Sequence, residues 1–152
     1  MKKYLLIGLL GFLFFGAAER VQACSCLMPA PGMSVKKQVA NAKRSATAIF
    51  EGKVISIRFS EEKMNGTPVK AFATIQVERS WKGPVSNMIE VETANICCIC
   101  GYTFEEGKSY LIYSNSADAK SLSVSSCSRT QLLVGKNGDA KYLGRSKVVK
   151  KQ

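Results

Sequence analysis

The chain has no histidine, and only 11 of its 152 residues are acidic. Without an imidazole it cannot build a Ser-His-Asp or Cys-His catalytic arrangement, a His-ligated zinc site or a histidine proton shuttle. The few carboxylates lie mostly in expected turns or on strand faces, and no pair of them is suited to general acid–base chemistry. The sequence therefore predicts a binding protein rather than an enzyme, with no cofactor and no metal ion of its own.

An apolar run long enough for a comfortable membrane span is also lacking. The run Tyr4–Phe15 is too short, and it follows the basic pair Lys2-Lys3 and precedes the polar pair Glu19-Arg20. A basic, then an apolar, then a polar segment is typical of a secretory signal peptide. We therefore expect export to a periplasmic, cell-envelope or extracellular location.

The cleavage site determines which residue begins the mature protein. Val21-Gln22-Ala23 satisfies the small-residue rule for signal peptidase, which predicts a signal peptide over residues 1–23 and one domain over residues 24–152. Cleavage after Ala18 is one alternative. Another is a lipoprotein signal that would anchor the chain through Cys24, although Gln22 fits a lipobox poorly. Cleavage before Cys24 would place a free α-amino group beside a backbone carbonyl, the two donors of a five-membered metal chelate.

The predicted mature protein is strongly basic. Removing residues 1–23, which carry three basic residues and one acidic residue, lowers the formal net charge from +11 to +9. Such a charge favours acidic partners, among them an acidic surface of the cell envelope. The basic residues are scattered and are not interleaved with aromatic residues, which argues against nucleic-acid binding. We expect a monomer.

All the cysteines lie in the predicted mature part. An even number in an exported domain predicts disulfides, although the count alone does not give the pairing. The alternative is a soft-metal site for copper(I) or zinc, built from Cys97, Cys98 and Cys100. An oxidising compartment disfavours the free thiolates that such a site needs. The six cysteines are Cys24, Cys26, Cys97, Cys98, Cys100 and Cys127.

Strand patterns dominate the chain from Ile49 onward. In the first of them the apolar positions change parity around an internal Gly52, which indicates a bulged and curved strand. Together the strands predict a mainly β fold, a five-stranded closed antiparallel barrel of the OB-fold type, with a β-sandwich as the alternative. The predicted strands are Ile49–Phe59, Val69–Trp81, Met88–Thr93, Ser109–Ser114 and Ser121–Ser126.

One or two helices are expected beside this barrel. Ser34 is placed to cap a helix over Val35–Ala46, whose small apolar residues recur on one side. Arg129–Val134 is expected to form a last short helix. Asn137-Gly138-Asp139 reads as a turn.

Several motifs carry a resemblance to a known family. Cys24-Ser25-Cys26, with Pro29 close behind, resembles the N-terminus of the tissue inhibitors of metalloproteinases. Cys100-Gly101-Tyr102 matches that family's Cys-Gly-Tyr. The stretch Gly107–Tyr113, followed by Cys127-Ser128, is similar to its last two barrel strands and the cysteine that ends them. The resemblance covers most of the mature chain, about the extent of the family's N-terminal, netrin-like inhibitory domain, and it suggests a bacterial-type, single-domain member.

The resemblance also implies roles for individual residues. It pairs Cys24 with Cys100 and Cys26 with Cys127, which would staple the barrel. It assigns the α-amino group and carbonyl of Cys24 to chelation of a target protease's catalytic zinc, and it points Ser25 at the specificity pocket beside that zinc.

The chain departs from the family pattern in three places. Pro29 lies one residue later than the family's proline, and the cysteine expected shortly after it, which forms the family's third disulfide, is absent. Cys97 and Cys98 are additional and have no assigned partners.

Three hypotheses for function follow. The first is an inhibitor of a zinc metalloprotease that acts through the Cys24 terminus. The second is a netrin-like binding module of the cell envelope without inhibitory activity, lipid-anchored in one version. The third is a metal-binding or redox protein that uses the thiols of Cys97, Cys98 and Cys100.

Overall fold

The structure is a computed structural model that describes residues 24–83, 86–96, 99–116, 121–135 and 138–149. The predicted signal peptide, Cys97, Cys98 and Asn137 lie outside the described residues. Over the described part the fold is mainly β with two helices, as the sequence predicts, and the sheet curls into a half-barrel. Neither of the two described helices is both long and apolar enough to cross a bilayer.

The described elements follow in this order along the chain. The helices are α1 (Val35–Ser45) and α2 (Ala140–Leu143). The long strands are β1 (Ala48–Phe59), β4 (Lys70–Lys82), β5 (Met88–Ala94) and β6 (Ser109–Ser114). The strands of two residues are β2 (Lys63–Met64), β3 (Thr67–Pro68), β7 (Leu122–Ser123), β8 (Gln131–Leu132) and β9 (Lys147–Val148).

Helix α1 begins where the sequence predicts. The hydroxyl oxygen of Ser34 accepts a hydrogen bond from the Lys37 amide at 3.4 Å, which caps the first turn. At the other end the ammonium group of Lys82 donates to the carbonyls of Lys43 and Arg44 at 2.8 and 3.0 Å. A cation at a helix C-terminus donates to the free carbonyls and interacts favourably with the negative end of the helix dipole. This contact joins β4 to α1.

The main sheet has the strand order β7-β5-β4-β1-β6-β8, with β9 also paired to β4. Its pairings are antiparallel except that of β5 with β7, in which Val91 lies opposite Leu122 in a parallel arrangement. Directly after β6, Asn115 exchanges two backbone hydrogen bonds with Ser123 of β7, at 2.9 and 2.7 Å. The chain that leaves β6 therefore contacts β7 as well.

Strand β1 carries the bulge that the sequence predicts. Its register against β4 shifts at three places, one of them between Glu51 and Gly52. A Cβ atom on Gly52 would overlap the carbonyl oxygen of Gln76 on β4. The close approach of the two backbones at the bulge thus requires a residue without a side chain.

Two apolar clusters lie on the two faces of the sheet. Strand β6 contributes to both, because Tyr110 and Ile112 pack between the curled strands while Leu111 and Tyr113 pack beneath the helices. Trp81 lies at the edge of the helix-covered cluster, and its indole N–H donates to the Gly144 carbonyl at 3.1 Å. The helices are thereby fixed to the outer face of the sheet.

Two local predictions are wrong. Arg129–Val134 is not a helix, because part of it forms β8 along the edge of β6, where the Leu133 amide donates to the Ser109 carbonyl at 2.8 Å. The unpaired edge of β6 offers backbone hydrogen bonds that a short amphipathic pattern cannot outweigh. The predicted strand Ser121–Ser126 is shorter than expected, since only β7 is regular.

The bulge gives a first testable prediction. Gly52→Ala should lower the free energy of unfolding by about 2 kcal/mol, because the added methyl group forces β1 and β4 apart. Gly138→Ala is the matched control, since nothing lies within 4 Å of a Cβ atom there. Its expected change is below about 0.5 kcal/mol. Denaturant unfolding measures both, and equal stabilities for the two variants would contradict the account of the bulge.

Candidate functional site

The described chain begins with an exposed, extended segment. Residues 24–30 have no regular secondary structure, and every one of them is exposed. The side chains of Leu27 and Met28 are 101% and 87% exposed, respectively. We call residues 24–30 the N-terminal ridge.

Two disulfides fasten this ridge to the body of the protein. Cys24 is bonded to Cys100 and Cys26 to Cys127, with Cα–Cα distances of 5.4 and 5.1 Å. This is the pairing that the resemblance implies. Each bond closes a long loop, of 76 and 101 residues in sequence separation. In the chain-entropy model such a closure stabilises the fold by about 4 kcal/mol.

The two anchoring loops are themselves joined. The Ser126 amide donates to the Cys100 carbonyl at 2.9 Å, and Gly101 forms an isolated bridge with Ser125. A Cβ atom on Gly101 would overlap the Ala94 carbonyl oxygen, so glycine lets the Cys100 loop lie flat against the end of β5. The role of Gly101 is thus to permit a close approach of two backbones.

The loop that carries Cys127 is held by a partly buried ion pair. The Arg129 guanidinium makes two hydrogen bonds to the Asp139 carboxylate, at 2.9 and 2.8 Å, and a third to the side chain of Gln38 on α1 at 3.0 Å. The Tyr113 hydroxyl donates to the same carboxylate at 3.3 Å. Burial and the nearby carboxylate raise the pKa of Tyr113 well above its ordinary value, so this donor keeps its proton.

The sulfur atoms of Cys24, Cys100 and Cys127 all lie within 4.8 Å of one another. All three belong to disulfides, and a disulfide sulfur is not the thiolate that copper(I) or zinc requires. The predicted soft-metal site therefore has no free thiol at Cys100, and its other two members lie outside the described residues.

Two grooves flank the ridge. One, of about 510 Å³, runs past Cys100 and Ile99 toward β2 and the edge of β5. The other, of about 870 Å³, lies between the ridge, from Cys26 to Ala30, and helix α1. Asn115 and Ser125 line both grooves. The ridge itself lines the second groove, whereas the first is lined by Cys100, to which the ridge is bonded.

This arrangement fixes a backbone segment rather than a set of reactive side chains. Cys24 and Ser25 are exposed, and the two disulfides lie on either side of Ser25. Both residues that flank Ser25 are therefore held by covalent bonds on an exposed part of the surface. The disulfides indicate an oxidising, non-cytoplasmic compartment.

Sequence reasoning missed part of this site. Leu27 and Met28 are large apolar residues directly behind a Cys-x-Cys pair, and that placement in a loop was the available signal. The Arg129–Asp139 pair had no signal, because the two residues are brought together only by the packing of α1 and α2 on the sheet.

No protein-family model matches the chain, and no curated protein matches it significantly in sequence.

The pairing of the cysteines gives the second prediction. Peptide mapping under non-reducing conditions should recover one peptide pair joined by Cys24 and Cys100 and another joined by Cys26 and Cys127. The reason is that the two loops already lie against each other and leave both ridge cysteines a partner in reach. A bridge from Cys97 or Cys98 to either ridge cysteine would contradict the described site.

Proposed function

We propose that this protein is an exported metalloprotease inhibitor of the kind found in the tissue inhibitors of metalloproteinases. It places the α-amino nitrogen and carbonyl oxygen of Cys24 on the catalytic zinc of a target protease. The observation that carries the proposal is that both residues beside Ser25 are disulfide-bonded, to two loops that are joined to each other. No other described segment is both exposed and fastened in this way.

The chemistry of the proposed contact is that of an open zinc site. A catalytic zinc keeps one coordination position for water or substrate, and a chelating amine and carbonyl can occupy it. The nitrogen must donate a lone pair and hence be uncharged. An α-amino group has an ordinary pKa of about 8, so zinc can displace its proton at modest cost.

The disulfides lower the conformational entropy that would be lost when this contact forms. A flexible N-terminus would lose its conformational freedom on binding, whereas a segment held at Cys24 and Cys26 has already lost it during folding. Ser25, between them, is small enough to enter a pocket without a clash. Leu27 and Met28 extend the exposed ridge and offer apolar surface to the walls of a protease cleft.

The proposal includes the finer fold, a closed five-stranded barrel of the OB type. In this interpretation β1, β4, β5, β6 and β7 are the five barrel strands. The parallel pairing of β5 with β7 and the two hydrogen bonds between Asn115 and Ser123 support it, because together they connect the neighbours into a ring. The bulge at Gly52 supplies the curvature that closure needs.

Processing directly before Cys24 is the step on which inhibition depends. The leader composition and the disulfide at Cys24 support it together. A lipoprotein would carry a thioether on the Cys24 sulfur, and that sulfur could not then bond to Cys100. The lipid-anchored version of a netrin-like module is therefore at odds with the described disulfide, whereas an unanchored, non-inhibitory module is the second candidate, favoured by the two open grooves.

The third prediction tests the chelating terminus. One alanine added before Cys24 should abolish inhibition of zinc proteases, because the amino group moves away from the disulfide-held carbonyl. One alanine added after Gln152 is the matched control and should leave inhibition unchanged. The measurement is the inhibition constant against a panel of secreted zinc endopeptidases, with disulfide content checked by mass.

Acetylation near neutral pH is an independent test. It modifies the α-amino group in preference to the lysines, because the α-amino pKa of about 8 lies below the lysine pKa of about 10.4. Inhibition that survives the blocked terminus would refute the mechanism. A protein that inhibits none of the panel with its terminus free would leave the binding-module candidate in its place.

The fourth prediction concerns the apolar part of the ridge. Leu27→Ser should weaken inhibition about tenfold, since an apolar side chain that becomes buried in a complex contributes about 1.5 kcal/mol or more. Folding should be unaffected, because this side chain is fully exposed in the free protein. Val134→Ser, at a residue that is 78% exposed and lines neither groove, is the control. Equal changes in the inhibition constant for the two variants would show that Leu27 does not contact the protease.

A further inference from the structure

Charges are distributed unevenly along β4. Most of the described acidic residues lie at the end of the sheet where β4 begins. Glu92 of β5 lies opposite Phe72, eight residues before Ser80. At about 3.3 Å per residue this is about 25 Å along the strand. Cations at this end are partly neutralised, as in the Arg58–Glu90 and Lys70–Glu92 ion pairs.

The opposite end of β4 is surrounded by cations. Lys147 of β9 lies opposite Ser80, and Arg145 follows Gly144, whose carbonyl accepts from Trp81 at 3.1 Å. Helix α2, with its exposed Lys141, is joined to α1 where the Lys43 ammonium donates to the Leu143 carbonyl at 2.8 Å. We call the exposed cations of this end the basic face: Lys141, Arg145 and Lys147.

Few acidic groups oppose the basic face among the described residues. Glu51 and Asp139 are buried, and each is paired, with Arg79 and Arg129 respectively. Glu78 is the exposed acid nearest in sequence to β4's basic end. Glu78 lies two residues from Ser80, about 7 Å along the strand, and offsets part of the charge. Glu90 and Glu92, opposite Thr74 and Phe72, lie about 20 Å or more from Ser80, beyond two Debye lengths at physiological salt. The cations of the face outnumber Glu78, so the field outside it is positive.

The basic face also exposes apolar surface. The side chain of Val148, the residue after Lys147, is 77% exposed. Tyr142 is 38% exposed, with the Lys141 ammonium 4.9 Å from its ring centroid. An aromatic ring and an aliphatic side chain among lysines are suited to the boundary between lipid headgroups and acyl chains. A soluble polyanion would use the cations alone.

The basic face and the N-terminal ridge lie on different sides of α1. Gln38 and Asn41 line the groove beneath the ridge. At about 3.6 residues per turn, Lys43 is rotated from them by about 140° and 160° around the helix. Since Lys43 contacts α2, the basic face adjoins a different side of α1 from the one that carries Gln38 and Asn41.

We propose that the basic face binds the anionic headgroups of a lipid bilayer and leaves the ridge accessible from solution. The protein is then held at a membrane surface by charge and by the shallow insertion of Val148 and Tyr142. This binding does not depend on the proposed inhibition, because it uses other residues on another side of the molecule.

Vesicle co-sedimentation tests the proposal on the exported, processed protein, whose N-terminus is verified by mass. Phosphatidylcholine vesicles containing phosphatidylglycerol should bind it at low salt, and pure phosphatidylcholine vesicles should not. Each cation near a charged surface contributes about 1 kcal/mol, so Lys141→Gln, Arg145→Gln and Lys147→Gln combined should lower the partition coefficient about 100-fold. The matched control combines Lys53→Gln, Lys63→Gln and Lys108→Gln, exposed cations outside the basic face, and should lower it less than tenfold.

Val148→Asn keeps the charge and should lower the partition coefficient about fivefold through the lost apolar contact. An equal loss in the two triple variants would overturn the proposal, because only net charge would then matter. Retention of binding in the first triple variant would overturn it as well. Two further results would overturn the proposal and indicate a soluble polyanion as the ligand instead of a membrane. One is binding to soluble polyphosphate without binding to anionic vesicles, and the other is an unchanged partition coefficient for Val148→Asn.

Discussion

The bonds from Cys24 to Cys100 and from Cys26 to Cys127 are the constraint on which the rest of the site depends. They attach alternate residues of one exposed segment to two loops, and the loops are hydrogen-bonded to each other. Such a double attachment removes both the translation and the twist of the segment. Without it no regular secondary structure would hold residues 24–30 in place, since none of them lies in a helix or strand.

The sheet serves this constraint by bringing distant loops to one end. Cys100 follows β5 and Cys127 follows β7, and the parallel pairing of β5 with β7 makes the two chain segments leave the sheet side by side. The curl produced at Gly52 brings β6 close enough to β7 for the Asn115 contact. The Arg129–Asp139 pair then holds the second loop against α1, so the ridge and its grooves share one rigid support.

Local patterns predicted the long elements well and the short ones poorly. Strand β1 and its bulge could be predicted because a few consecutive residues contain both signals: the change in parity of the apolar positions and the internal Gly52. The edge strand β8 could not, because it exists only through pairing with β6, and Arg129–Val134 alone resembles a helix. The disulfide pairing came from family resemblance, since cysteine spacing does not determine which loops meet. The exposure of Leu27 and Met28 depends on the direction in which the two disulfides hold the chain.

The proposed inhibition requires Cys24 to be the first residue of the working protein, with its amino group unmodified. The most direct test is the intact mass of the protein recovered from outside the cytoplasm, before and after reduction. We predict the mass of residues 24–152 without acylation, and an increase on reduction and alkylation that includes the four cysteines of the ridge and its anchoring loops. A mass that retains residues before Cys24, or a lipidated Cys24, would contradict the central claim, because neither form could present the chelating terminus.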